Sequence, residues 1–336
     1  MAKKRASKKK VAKRVSKKAP ARRPSRVMKA AAASPPHGVV EKPLNKMEAA
    51  RRVLARRADD ARAERVAAFR DESRRERRAI GLDAKGRLRL LAEGDSWFDY
   101  PARGGVALPG VIDEGVIPEL QSMLSGKARI LNLAHYGDEI RGMMACGQQE
   151  RLREALVDRS LGTFDAILIS GGGNDIAGDQ FSLWLNKFEG QSWQQAMHNT
   201  RFENVLDIVR IGFEELVALR NELAPQAWIF ANAYDLPRVS GRGVCGQGPW
   251  LKPSLEFRGW KNPDDQFNIV SDMLRRFRDA VASFASTGNR FVVVETQGTL
   301  DPDTEWANEI HPTKAGFRKV AGRFRDALAQ VFPGKV

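Results

Sequence analysis

Leu88-Arg89-Leu90-Leu91-Ala92-Glu93-Gly94-Asp95-Ser96-Trp97 begins as a buried strand and ends as a turn. Leu88 to Ala92 is short and near-continuously apolar, the pattern of a strand covered on both faces rather than the alternation of a half-exposed one. Four further runs read the same way: Ala128 to Leu133, Phe164 to Ser170, Ala227 to Ala231 and Arg290 to Glu295. Helical segments lie between them, near Val116 to Leu124, Asp138 to Val157, Arg201 to Leu223 and Asp264 to Ala285, with a last one from Thr313 to Val331. Such alternation predicts an α/β domain, a parallel sheet covered on both faces by right-handed crossovers.

Outward from that core, composition separates the chain into parts. Of 336 residues 42% are hydrophobic and 29% charged, enough apolar material for a large core. The net charge of +15 is concentrated at one end: residues 1–40 hold 14 Lys or Arg and no acid, so of 56 basic groups 42 remain against 41 acids. A nearly neutral body excludes a nucleic-acid binder whose globular surface is basic throughout. Residues 1–44 cannot bury enough apolar surface to offset their ordering entropy and are expected to be disordered. Their residues 3–29 suit a non-specific polyanion, nucleic acid or an anionic surface, and a solubilising or cleaved extension accounts for them equally well. Residues 45–80 predict a long charged helix with a thin stripe of Met47, Ala50, Leu54, Ala58 and Ala61 resting on the domain. Residues 81–336 form the domain proper, with irregular inserts at 177–199 and 234–262. Long loops inside a compact domain are usually functional. No apolar run is long enough for a membrane span, and no secretory signal is evident. With two cysteines, Cys146 and Cys245, outside any CxxC spacing, neither a zinc site nor a disulfide framework is expected. Together these features predict a cytoplasmic protein.

In open parallel sheets ligands bind beyond the carboxyl ends of the strands. Three of those ends carry suggestive chemistry. Ser96 sits at a tight strand-to-helix turn, where its hydroxyl can project into the crevice. The second strand runs into His135, Tyr136, Gly137 and Asp138. The third runs into Gly171, Gly172, Gly173, Asn174 and Asp175, where glycine permits close approach and an Asn amide can donate.

These blocks resemble, in order, the GDSL-type esterases and lipases, or SGNH hydrolases. Gly94-Asp95-Ser96 is similar to the first block, Gly137 falls where the second has its glycine, Gly172 to Asp175 resembles GxND, and His311-Pro312 resembles the last. The resemblance covers residues 86–331. It implies a three-layer α/β/α sandwich with a five-stranded parallel sheet, of flavodoxin-like SGNH hydrolase fold. It also implies Ser96 as nucleophile, His311 as general base, and Gly137 and Asn174 as oxyanion partners of the Ser96 backbone N–H. A serine hydroxyl needs a neutral imidazole to take its proton, and the resulting oxyanion needs fixed donors, so the residue types suit the chemistry. No metal or cofactor is required.

The chain departs from the family where an acid is expected three residues before the histidine; Asn308 stands there. An Asn can fix the imidazole tautomer but cannot neutralise an imidazolium, and in a site built for Asp that exchange can cost about ten thousandfold. Glu309 ranks below Asn308 as the orienting group because it points the other way along a helical turn. Blander readings exist: Ser96 as a helix cap, His311 as a cap with Pro312 in the first helical turn, and Asp95 and Asp175 as buried acceptors holding their loops. Trp97, Tyr100, His135, Trp250 and Trp260 are the candidate pocket walls. The expected activity is hydrolysis of a small-molecule, lipid or carbohydrate ester through an acyl-enzyme; the alternative is a catalytically impaired binding protein tethered by its tail.

Overall fold

The computed structural model describes residues 46–79, 86–100, 114–244 and 247–336; the expected disordered tail and Cys245 lie outside them. Residues 51–336 make one compact unit; of the other, residues 1–50, the described part is the first residues of a helix. Each run read as a strand is one, with ends moved by a residue or two: β1 (Leu88–Gly94), β2 (Ala128–Asn132), β3 (Ala166–Ser170), β4 (Trp228–Asn232) and β5 (Phe291–Val294). All pair in parallel, in the order β2-β1-β3-β4-β5. Leu90, Leu91, Ala92, Ile167, Leu168, Ile169 and Phe230 are wholly buried, which explains the unbroken apolar runs. Removing one such Leu from water is worth about 1.5–3 kcal/mol.

The helices are α1 (Lys46–Ala79), α2 (Val116–Met123), α3 (Ile140–Met143), α4 (Cys146–Val157), α5 (Gly173–Ile176), α6 (Asn199–Leu223), α7 (Lys252–Phe257), α8 (Pro263–Ala282) and α9 (Lys314–Val331). Right-handed crossovers put α2 on one face, where it packs against α9, and put α3, α4, α6 and α8 on the other. This is the expected three-layer sandwich. Helix starts carry the usual chemistry: Asn262 accepts from Asp264 N–H and Asp265 N–H with Pro263 in the first turn, and Thr313 Oγ1 accepts from Gly316 N–H at 3.2 Å. No helix among the described residues is long and apolar enough to cross a membrane.

Four local expectations are corrected. Ser96 does not enter a helix directly. Phe98 N–H and Asp99 N–H both donate to Asp95 O at 3.0 Å, closing a turn, and α2 begins only at Val116. The segment expected as one helix from Asp138 to Val157 is two: the Asp175 carboxylate takes Ile140 N–H at 2.7 Å at the start of α3, and the chain breaks where Ala145 is extended, at φ -77° and ψ 156°. The insert 234–262 contains α7. On α1, Ala61 faces solvent, and the side chains of Met47, Ala50 and Leu54 lie outside the described residues. The face that meets the domain is Arg62, Val66, Phe69, Ser73 and Glu76, spaced as one helical stripe. Arg129 of β2 lies 4.6 Å over the Phe69 ring and pairs with Glu72 and Glu76 at 2.8 and 3.2 Å. Charged stems pack there where alanines were expected to.

The strand order reverses at β1, so the loops after β1 and β3 diverge and open a crevice between them. Gly94 permits the close approach of those two strands: a Cβ there would lie 2.8 Å from Ser170 O, which accepts Asp95 N–H at 2.9 Å. Gly94→Ala should therefore lower stability by about 1–3 kcal/mol, as overpacking of a closed core does. Urea denaturation measures it, and an unchanged midpoint would show that β1 and β3 have room to separate there.

Candidate active site

A buried polar network holds the turn after β1. Asp95, 2% exposed, accepts from Trp97 N–H and the Ser170 hydroxyl through Oδ1, at 3.0 and 2.8 Å, and from the Tyr234 hydroxyl through Oδ2 at 2.5 Å. The Tyr234 oxygen in turn accepts Gly173 N–H at 3.1 Å. Three strand ends are thereby joined at one carboxylate. Burial pushes the Asp95 pKa up to about 6, against the pull of the Tyr234, Trp97 and Ser170 hydrogen bonds. The Tyr234 phenol is pushed well above its usual range, by burial first and then by the charge of Asp95. Tyr234 also sits at φ 55°, a left-handed conformation rare for a bulky residue, and its ring occupies the space a Cβ on Gly173 would need.

Ser96 projects from this turn onto His311, with Oγ 2.7 Å from Nε2. The other ring nitrogen, Nδ1, is 2.9 Å from Asn308 Oδ1. That oxygen also accepts the backbone N–H groups of Ile310 and His311, at 3.2 and 3.1 Å. Two fixed donors on one amide atom identify it as the oxygen, so Nδ1 must carry the proton and Nε2 must present its lone pair to the serine hydroxyl. The ring is held between Tyr100 and Trp250, with centroids 4.8 and 5.5 Å away, and Asn308 Nδ2 donates to the Tyr100 hydroxyl. Burial lowers the His311 pKa to about 3, so the imidazole is neutral at neutral pH. Glu309 does point away: its carboxylate accepts N–H groups from Gly241, Trp250, Leu251 and Lys252 and anchors that insert.

The loops after β1, β2 and β3 carry donors that protein acceptors leave wholly or partly free. Among the described residues, neither Ser96 N–H nor Gly137 N–H donates to a protein group. Asn174 Nδ2 gives one hydrogen to Asp138 O at 2.9 Å, leaving the second for another acceptor. Gly137, at φ 82°, turns the loop after β2, and that loop is tied to β1 by His135 N–H donating to Gly94 O at 2.9 Å.

Ser96 and Asn174 line a pocket, open to solvent, whose walls include Ile176, Leu251, Val270, Met273, Leu274 and Ile310. Of the expected walls, Trp97 lines it and donates its indole N–H to Ile310 O at 2.9 Å. Tyr100 and Trp250 serve the histidine instead. His135 stacks on Tyr136, 4.2 Å between centroids, and lies outside this lining. Trp260 is corrected: it is 1% exposed, packs on Phe188 and donates to Asn186 O, filling the interior between the two inserts. Tyr234 was missed by sequence reading, although it follows the fourth strand's carboxyl end, the kind of position that picked out the other three loops; the inserts do wall the pocket, but through Ala177, Pro237 and Leu251. Among the described residues no cluster of His, Cys, Asp or Glu could hold a metal ion.

No family model matches the chain, and no curated protein does. Solved structures of lipases and esterases are similar to it. A lipase from a goat rumen metagenome shares 15% identity with a TM-score of 0.47, covering 71% of this chain and 97% of its own. An extracellular lipase from Streptomyces rimosus shares 16% with a TM-score of 0.45, over 71% and 99%. A carbohydrate esterase of family 3 from Talaromyces cellulolyticus shares 10% with a TM-score of 0.42, over 73% and 97%. The chemistry rests on the geometry of the site.

Under the site lies Glu93, 4% exposed, whose pKa burial raises to about 8 despite the nearby Arg62. Unfolded, the group titrates near 4.5. Between those values the folded protein holds a proton that the unfolded chain releases, so the stabilisation present below pH 4.5 is lost as pH rises toward 8. Glu93→Gln should therefore gain melting temperature relative to wild type as pH goes from 5 to 8. Parallel melting curves across that range would place the carboxyl in water instead.

Proposed function

We propose that the chain is a serine ester hydrolase of the SGNH (GDSL) type, and the 2.7 Å contact between Ser96 Oγ and a Nδ1-protonated His311 is the observation that carries this reading. His311 Nε2 takes the hydroxyl proton as Ser96 Oγ attacks the ester carbonyl carbon. The carbonyl π electrons move to oxygen, and the developing charge meets Ser96 N–H, Gly137 N–H and the second Asn174 hydrogen. Losing one donor of such a set typically costs about a hundred- to a thousandfold. The tetrahedral adduct collapses, the C–O bond to the alcohol breaks, and His311 returns its proton to the departing alkoxide. Water then repeats the sequence on the acyl-enzyme and releases the acid. The acyl group lies along Ile176, Leu251, Val270 and Met273, which favours apolar acyl chains of lipid or small-molecule esters over sugar rings on that side.

Asn308 makes the base weak as well as correctly oriented. Nothing negative faces Nδ1, so burial alone governs the ring, and a base of pKa about 3 draws a proton from serine with little driving force. An impaired, tethered binding module has less in its favour, because the amide oxygen still holds the imidazole in the tautomer the chemistry needs.

A fluorophosphonate probe should label wild type and not Ser96→Ala; equal labelling of both would remove the assignment. Because the His311 pKa is lowered, the imidazole stays unprotonated far below 6.5, so kcat/KM should stay level from pH 8 to 5. Asn308→Asp places a carboxylate on Nδ1. It should raise kcat about tenfold or more at pH 8, within the range that general-base assistance spans, and move the acid limb of the profile upward toward neutrality. A wild-type profile already falling near pH 6.5, unchanged by that substitution, would contradict the role given to Asn308.

A further inference from the structure

The helix that precedes the sheet reaches the reacting end of the molecule through two arginines one turn apart. Arg62, only 6% exposed, donates through Nε to Leu133 O at 2.8 Å and through Nη2 to Asp138 Oδ2 at 2.9 Å. Arg65 donates through Nη2 to Ala134 O at 3.1 Å and through Nη1 to Asp99 Oδ1 at 3.2 Å. Leu133 and Asp138 are the two ends of the loop that carries Gly137. Asp138 is also the residue whose carbonyl receives Asn174 Nδ2, and Asp99 closes the turn that carries Ser96.

We infer that Arg62, assisted by Arg65, is a positioning residue for this hydrolase: α1 is a strap that fixes the Gly137 loop against the Ser96 turn. The inference rests on the ester-hydrolase reading above. The physical need is plain, because Gly137 is an exposed glycine in a left-handed turn that its own loop closes with a single long backbone bond, Asp138 N–H to His135 O at 3.3 Å. A donor must stand about 3 Å from the developing oxyanion without reorganising. A guanidinium fork grips both ends of the loop at once, which a single ammonium cannot do. Other titratable groups surround the pair: Asp59 lies 3.6 Å from Arg62 Nη1 and from Arg151 Nη1, His135 Nδ1 lies 3.9 Å from Asp138 Oδ1, and Glu93 is nearby. Removing Arg62 therefore frees the loop and also leaves a carboxylate poorly paired.

Arg70 separates positioning from mere docking, since it ties the same helix to Asp158 and Ser160, at 2.8 and 2.9 Å, away from the reacting groups. The full-length chain, Arg62→Met, Arg62→Lys and Arg70→Met are compared for kcat and KM on a p-nitrophenyl ester, each well below its own melting temperature. Arg62→Met should lower kcat about ten- to a hundredfold, the scale of a misplaced reacting group, with KM within threefold. Arg62→Lys should recover part of the loss, and Arg70→Met should keep kcat within twofold while lowering the melting temperature. Wild-type kcat in folded Arg62→Met, or equal losses in Arg62→Met and Arg70→Met, overturns the strap. If Arg62→Met does not fold, Arg62→Lys decides it: a kcat within twofold of wild type counts against the strap. Should wild type and Ser96→Ala hydrolyse the ester equally, the hydrolase reading fails and this inference falls with it.

Discussion

One amide oxygen organises the site. Asn308 Oδ1 accepts from two backbone N–H groups and from the imidazole, and because those backbone donors are immovable the amide cannot flip. The ring proton is thereby confined to Nδ1, and the lone pair on Nε2 faces Ser96. An aspartate would do the same and would also stabilise the imidazolium. The asparagine does the geometric half alone, in a pocket where burial already disfavours the charged ring. Correct orientation with a weak base is a coherent arrangement, and it makes the proposed reaction depend more heavily on the oxyanion donors than a carboxylate-backed triad would.

Those donors come from loops that would wander if left to their own backbones. Asp95 gathers the ends of β1, β3 and β4 through Trp97, Ser170 and Tyr234, so the serine turn and the Gly173 loop move as one body. The loop after β2 has no such carboxylate and is reached from outside by α1. A buried network is costly to leave half-satisfied, and around Asp95 the Trp97, Ser170, Tyr234 and Gly173 donors all have acceptors. Raised carboxyl pKa values at Glu93, Asp95 and Asp175 accompany that enclosure, all with burial as the first cause.

Much of this was legible in the chain. The five apolar runs are strands because a sheet covered on both faces needs no polar alternation. The loops of Ser96, Gly137 and Asn174 stood out because chemistry in open α/β sheets gathers at strand ends, and His311 because His311-Pro312 resembles the last block of the SGNH hydrolases. The misplaced residues share a cause. Trp260 was taken for a pocket wall because an aromatic in a glycine-rich insert looks exposed, yet Phe188 from the other insert covers it, and that meeting is encoded in neither segment alone. Ala61 was read as the resting stripe on hydrophobicity, whereas arginine stems with partners across the interface bury more surface than alanine does.

What the sequence determined by itself is local and periodic: strand and helix identity, their alternation, and the residue types at each strand's end. Which of those residues meet was decided only by the folded chain, because contacts such as His311 to Ser96, Tyr234 to Asp95 and Arg62 to Asp138 join segments 76 to 215 positions apart. No periodicity reports a partner at that range. It takes the sheet order, the close approach that Gly94 and Gly173 allow, and the burial that follows to bring one hydroxyl, one imidazole and one amide into line.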